Sequence, residues 1–148
     1  MNATVSDMLR VKGSVVECIA PDATILEAIK RMSARKLGCL VVVAKNGRPC
    51  GIITERDCMW KTIAVGESPR SRRVKDKMTP IAKMSTVTPA HTVDDCMNLM
   101  TSGRHRHLPV MEGKTLAGLI SIGDVVKFTI GSHQAMIQSL QKYIQGSL

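Results

Sequence analysis

Gly51-Ile-Ile-Thr-Glu-Arg-Asp57 and Gly118-Leu-Ile-Ser-Ile-Gly-Asp124 are one pattern written twice: a glycine, two apolar residues, a hydroxyl and, three residues on, an aspartate. The likeness extends upstream. Leu40-Val-Val-Val43 answers to Leu108-Pro-Val-Met111, and Pro21-Asp-Ala-Thr-Ile-Leu-Glu-Ala-Ile-Lys-Arg-Met32 to Pro89-Ala-His-Thr-Val-Asp-Asp-Cys-Met-Asn-Leu-Met100. The prolines are offset by 68 positions and the glycines by 67, so one residue is lost between the copies, around Lys45–Arg48. A hairpin loop tolerates such a loss. Internal repetition of this kind implies two similar units that pack together, with functional positions that recur.

A chain of 148 residues with 44% hydrophobic content can build one compact core. Its only aromatic residues are Trp60, Phe128 and Tyr143, so that core is aliphatic, with ten methionines filling gaps. The groups that stack on bases are scarce, which argues against a nucleic-acid surface built on stacking. The net charge of +9 favours anionic partners, among them nucleotides, nucleic acid and acidic membranes. A basic solvated face accounts for the charge equally well.

The cysteines, Cys18, Cys39, Cys50, Cys58 and Cys96, are odd in number and show neither Cys-x-x-Cys nor zinc spacing. Buried reduced thiols in a reducing compartment are expected, with Cys58 the candidate if any thiol is a redox sensor. No metal is expected. The first residues lack the apolar core of a secretion signal and the arginines of a transit peptide, and no apolar run approaches a membrane span. The expected location is the cytoplasm.

The hydrophobic periods predict a short helix over 4–11 capped by Ser6, a strand over Val15–Ala20, and a helix from Ile25 with Thr24 and Glu27 as its capping box and Gly38 at its end. Strands follow at Cys39–Ala44 and Cys50–Ile53, joined by an Asn46-Gly47 hairpin. Thr54 opens a helix to about Val65. The second copy repeats the order, with strands at Met84–Val87, Leu108–Glu112 and Leu116–Ile120 and a helix over Val93–Met100 capped by Thr92 with Asp95. Ser121 opens the last helix, broken near Gly131. Ile137, Leu140 and Ile144 make an apolar stripe on it that needs a partner, from the chain's own body or a second subunit. The fold class is α/β (α+β): two pseudo-twofold-related strand–helix–strand–strand–helix repeats packed sheet to sheet with helices outside. The units are 1–66, an N-terminal arm plus the first repeat; 67–78, a basic linker; 79–132, the second repeat; and 133–148, a helical tail.

Thr54 with Asp57, and Ser121 with Asp124, satisfy a capping box without any ligand. The same turn also presents unpaired N–H groups and a positive dipole end to phosphate, while a carboxylate one turn in can accept hydrogen bonds from two ribose hydroxyls. Duplication of the leading glycine and strand favours the second use. Arg104-His-Arg-His107 precedes the Leu108 strand: it is either a charged helix end or a basic wall in which Arg106 or His107 reaches phosphate. The first copy has Gly38 and Cys39 there, so a second site has a weaker basic wall, with Lys36 nearby. Arg70-Ser-Arg-Arg73, Lys75 and Lys77 read as a solvated linker or as contacts to nucleic acid or to a ligand's phosphate tail. No catalytic triad or P-loop is supported.

Taken together, the repeat, the Gly-apolar-apolar-Thr/Ser-x-x-Asp ends and the stretch from Arg106-His-Leu-Pro-Val to Asp124-Val resemble a tandem cystathionine-β-synthase (CBS) domain pair, or Bateman module, over roughly residues 12–130. The chain is similar to small stand-alone bacterial CBS-pair proteins and to plant mitochondrial single-pair proteins linked to thioredoxin control. The resemblance implies a non-catalytic regulatory module that binds AMP, ADP, ATP, NAD(H) or S-adenosylmethionine in up to two clefts. It implies ribose on Asp57 and Asp124, phosphate on Thr54 and Ser121, the family's basic positions at Arg106 and His107, and adenine against Ile19-Ala20 and Val87-Thr88, with Arg56 also among the ligand-binding residues. It also implies a disc-shaped homodimer and a regulated enzyme or transporter as partner. The competing classes are a redox-linked partner regulator and a basic nucleic-acid-binding protein.

Overall fold

The computed structural model describes residues 3–103 and 105–146. Arg104, part of the basic wall, lies outside the described residues. The chain runs α1 (Val5–Lys12), β1 (Cys18–Ile19), α2 (Ile25–Arg35), β2 (Cys39–Val43), β3 (Pro49–Thr54), α3 (Glu55–Cys58), a π-helical turn Met59–Ile63, α4 (Val74–Lys77), β4 (Thr79–Pro80), a 3₁₀ turn Ile81–Lys83, α5 (Val93–Gly103), β5 (His107–Glu112), β6 (Thr115–Ser121) and α6 (Ile122–Gly146). One sheet has the order β1-β2-β3-β4, the other β5-β6. Val41 and Ile52 of the first sheet pack with Leu116 and Leu119 of the second, so the sheets meet face to face. Each repeat also keeps its own core under its helix: Ile25, Ala28, Leu40 and Ile53 in the first, Val93, Cys96, Leu108 and Ile120 in the second.

Both arms cross over. Val5 and Met8 of α1, contiguous in sequence with the first repeat, belong to the core of the second. Val5 N–H donates to His91 O at 2.8 Å, and Val93 N–H to Ala3 O at 2.9 Å. Val74 of α4, which leads into the second repeat, is buried in the core of the first, where its N–H donates to Ala23 O at 2.8 Å. The segment expected to be a solvated linker is therefore a strap: Ile25 N–H donates to Arg72 O, and Leu26 N–H to Pro69 O, both at 2.9 Å. Its cations are largely engaged, Lys75 with Asp22 at 2.9 Å, Lys77 with Glu67 at 3.1 Å, and Arg72 with Glu67.

The leading glycine of each motif makes room for the visiting arm. A Cβ on Gly51 would sit 2.6 Å from Met78 Sδ and 2.8 Å from Thr79 O; one on Gly118 would sit 2.7 Å from Leu9 Cδ2. The two glycines thus serve close packing.

Several expected elements differ. Thr4, not Ser6, caps α1, because Asp7 stands at the reciprocal capping-box position. Lys36, in the left-handed conformation (φ 54), ends α2 ahead of Gly38. The strand expected over Val15–Ala20 shrinks to Cys18–Ile19. The strand expected over Met84–Val87 is reduced to one parallel bridge, Val87 to Val110. Val87 N–H donates to Pro109 O and Met111 N–H to Val87 O, but Pro109 has no N–H to carry the ladder on toward Ser85. The helix after Thr54 widens into a π turn closed by Ala64 N–H to Met59 O at 2.7 Å. α6 is unbroken at Gly131.

Candidate functional site

Two clefts open between the repeats. The first, of about 310 Å³, lies at the end of β3 and is lined by Thr54, Arg56, Asp57, Met84, Arg106 and His107 among others. Thr54 Oγ1 accepts the Asp57 N–H at 3.1 Å, and Asp57 Oδ2 accepts the Thr54 N–H at 3.0 Å. The capping box is thus complete and the carboxylate is held rigidly. Its other oxygen faces Lys61 Nζ at 2.9 Å, and Asp57 as a whole is only 6% exposed. Arg56 lies with its guanidinium 5.0 Å from the centre of the Trp60 ring, a cation–π contact that draws it along the rim. Arg106 and His107 arrive from the opposite repeat, as a basic wall would.

The second cleft, of about 410 Å³, lies at the end of β6, with Ser121, Asp124, Val16, Cys39, Lys36 and Lys127 in its lining. Ser121 Oγ accepts the Asp124 N–H at 3.1 Å, and Asp124 Oδ2 accepts the Ser121 N–H at 2.8 Å. Here the neutralising cation comes from far away: Lys12, the last residue of α1, donates to Asp124 Oδ2 and, at 2.5 Å, to Leu119 O. Burial alone would raise the Asp124 carboxyl, but the Lys12 ammonium and the Ser121 N–H outweigh it and hold the group below its ordinary range. The expected weakness of this basic wall is corrected: Lys12, Lys36 and Lys127 all line it, two of them from the arm and from α6.

His107 lines both clefts, its ring within 4 Å of where a Cβ on Gly38 would lie. Burial, with Lys12 and Arg106 nearby, pushes its imidazole below the usual value, against the pull of Asp124. The partition between the clefts is therefore mostly neutral at pH 7.

The four residues expected against adenine are elsewhere. Ile19 and Val87 are core side chains, and neither they nor Ala20 and Thr88 line either cleft. Thr88 is exposed and its N–H donates to His91 Nδ1 at 2.9 Å. The cleft walls are built a few residues earlier, by Val16 and Glu17 in the second cleft and Met84 in the first. Lys12 and Lys127 were missed as well. A signal for Lys12 exists: Val5-x-Asp7 and Val74-x-Asp76 extend the repeat upstream of Pro21 at an offset of 69, which marks α1 as part of the repeated unit.

Burial pushes every thiol up, Cys39 to about 12 and Cys58 and Cys96 to about 11, with Cys18 and Cys50 raised as well. Cys58, the candidate sensor, is 2% exposed. Among the described residues no group of three or more His, Cys, Asp or Glu is arranged to hold a metal ion, and no helix is long and apolar enough to cross a membrane.

The sequence matches the CBS domain over residues 4–61 and again over 74–131. The chain belongs to the CBS-domain family. Both matched spans begin at the crossed-over arms, so the arm is part of each CBS domain. The CBS domain-containing protein CBSX3, mitochondrial, of Arabidopsis thaliana is 41% identical over 98% of this chain and 73% of its own length. The crystal structure of a CBS-domain containing protein from Agrobacterium tumefaciens superposes with a TM-score of 0.79 at 41% identity, covering 86% of this chain and 93% of that one. The structure of CBSX2 in complex with AMP shares the fold, with a TM-score of 0.71 at 22% identity over 88% and 98% of the two chains.

Proposed function

We propose that this CBS pair is a regulatory sensor that binds an adenine nucleotide and acts by changing conformation or partner contacts, without catalysis. The observation that carries the reading is the duplicated turn: each cleft ends in a hydroxyl and a rigidly capped aspartate that face basic side chains from across the cleft. Clefts of about 310 and 410 Å³ fall in the ~300–1,000 Å³ range of small-molecule sites. Asp57 and Asp124 would accept from ribose hydroxyls, and Thr54, Ser121, Arg56, Arg106 and His107 would stand near phosphate. The AMP held by CBSX2, a protein of the same fold, supports the same ligand class here. Lys12, Lys36 and Lys127 favour a ligand with more than one phosphate (ADP, ATP or NAD(H)) in the second cleft.

The module would work as a homodimer, with exposed Met59, Trp60 and Ile63 on one repeat and Ile122 and Val126 on the other as contact surfaces, and would pass its state to a regulated enzyme or transporter. A redox role finds no support in thiols that are raised throughout, and a nucleic-acid role little in a strap whose cations are mostly ion-paired.

The test is thermal stability of the ligand-free protein against AMP, ADP, ATP, NAD⁺, NADH and S-adenosylmethionine. A selective rise that grows with concentration, by linkage, is expected for at least one nucleotide. No shift with any of them would sink the reading.

A further inference from the structure

Arg56 stands between two possible partners. Its guanidinium lies over the Trp60 ring, 5.0 Å from the ring centre, and the same residue lines the first cleft beside Thr54 and Asp57. Among the described residues no hydrogen bond or ion pair holds that guanidinium, so the ring alone keeps it at the rim.

The two partners are unequal in strength. A cation over an exposed aromatic ring shifts an equilibrium by about two- to fivefold, whereas a charge-assisted hydrogen bond to an anion shifts it by about tenfold or more. Arginine also meets a phosphate with two parallel N–H groups, a geometry that a ring face cannot use. A phosphate that enters the first cleft therefore outcompetes Trp60 for Arg56.

The second copy lacks the pair. At the offset of 67 that aligns Asp57 with Asp124, Arg56 answers to Gly123 and Trp60 to Lys127. Lys127 lines the second cleft, so the cation there is mounted where the first copy has its ring, with no ring to hold it. The backbone differs too: Met59–Ile63 is a π turn, whereas the corresponding residues belong to the α-helix α6. Met59, Trp60 and Ile63 of that turn are exposed, Trp60 by 61%. Arg56 thus shields the largest side chain of an open apolar patch.

We propose that Arg56 is a two-position residue. It lies over Trp60 while the first cleft is empty, and it turns to the phosphate of the ligand when the cleft fills, uncovering the ring. The inference rests on the nucleotide reading above and adds to it the residue that reports phosphate in one cleft at the surface of the first repeat. The second cleft fills without any such report.

Trp60 is the single tryptophan of the chain and serves as its own probe. An Asp124→Ala background confines the reading to the first cleft. There, calorimetry measures affinity for AMP and ADP, and acrylamide quenching of fluorescence measures how open the ring is. Quenching should rise with AMP or ADP and stay level with adenosine, which has no phosphate. Trp60→Leu should tighten AMP binding about threefold, because the competitor for Arg56 is gone. Arg56→Gln should weaken it about tenfold or more and leave the ring open with or without AMP. In that Arg56→Gln chain, adding Trp60→Leu should change nothing further, which a ring that merely packs beside the cleft would not produce. Heat of binding with unchanged quenching, an equal response to adenosine, or no tightening in Trp60→Leu would overturn the proposal and leave the nucleotide reading standing. No heat with either nucleotide in this background would overturn it as well; only a null across the whole panel in the wild-type chain sinks the nucleotide reading itself.

Discussion

The two clefts are copies that differ in where their cation comes from. In the first, Asp57 is neutralised by Lys61, one turn along the same stretch of chain. In the second, Asp124 is neutralised by Lys12, 112 residues away on an arm that began at the other repeat. The first carboxylate is set by local structure alone. The second is tied to whether α1 is docked, so a ligand that takes Asp124 must deal with the arm as well. Duplication gave two similar turns, and the crossed arms made them unequal.

The largest effect should come from the self-contained side. Asp57→Ala should weaken nucleotide binding in the first cleft about a hundredfold, since a charged acceptor of two hydrogen bonds is lost. The loss of its cap should cost only about 1 kcal/mol of stability. Calorimetric titration beside Asp124→Ala would sharpen the contrast, and normal binding by both variants would leave the aspartates with capping alone.

The glycines come next. Gly51→Ala meets Met78 and the Thr79 carbonyl, and backbone has to shift, so a loss of about 2 kcal/mol is expected. Gly118→Ala meets only the end of the Leu9 side chain, and about 1 kcal/mol should suffice. Urea denaturation of the two variants measures the difference, and equal losses would break the idea that the arms seat unequally.

Lys12→Met probes the remote cation. In an Asp57→Ala background, where only the second cleft is read, adenosine should bind about fivefold tighter once its competitor for Asp124 is gone, in keeping with the ~1 kcal/mol of a partly exposed ion pair. ADP should bind more weakly, having lost a phosphate partner. If adenosine affinity is unchanged, Lys12 does not guard the cleft.

The smallest effect is the response to pH. His107 has a folded value below 6.5, so the unfolded chain takes up a proton first. Its contribution is complete above about 6.5 and is lost as the pH falls toward the folded value. Asp124 adds a second loss only in stronger acid, below 3.8, as its bond to Lys12 is protonated away. Thermal midpoints of His107→Gln and Asp124→Asn across pH should each lack one limb of the wild-type curve.

What could be read in the sequence was what is encoded locally or twice. Thr54 with Asp57, Thr24 with Glu27 and Thr92 with Asp95 each close over three residues, and every one of these boxes forms. The sheet-to-sheet packing followed from strands repeated in the same order. Spacing marks α1 as part of the repeated unit but does not put Lys12 beside Asp124, because that partner is set by the crossing of α1, a tertiary choice. The resemblance pointed to Ile19 and Val87 for adenine, yet both side chains lie in the cores: strand periodicity says which residues alternate, not which face is core and which is cleft. Met84 and Val16, on irregular backbone just before them, took the cleft instead.

The exchange of arms has a last consequence, for folding. Neither half of the chain carries all the pieces of its own interior: residues 1–66 lack Val74, and residues 79–132 lack Val5 and Met8. The halves therefore cannot melt one after the other as independent units, and a single cooperative transition for both is expected. Closing them requires contacts between residues far apart in the chain, such as Val5 with His91, 86 positions on, which raises contact order and slows folding. Two genes each encoding one half would yield products that acquire their missing turns only from each other.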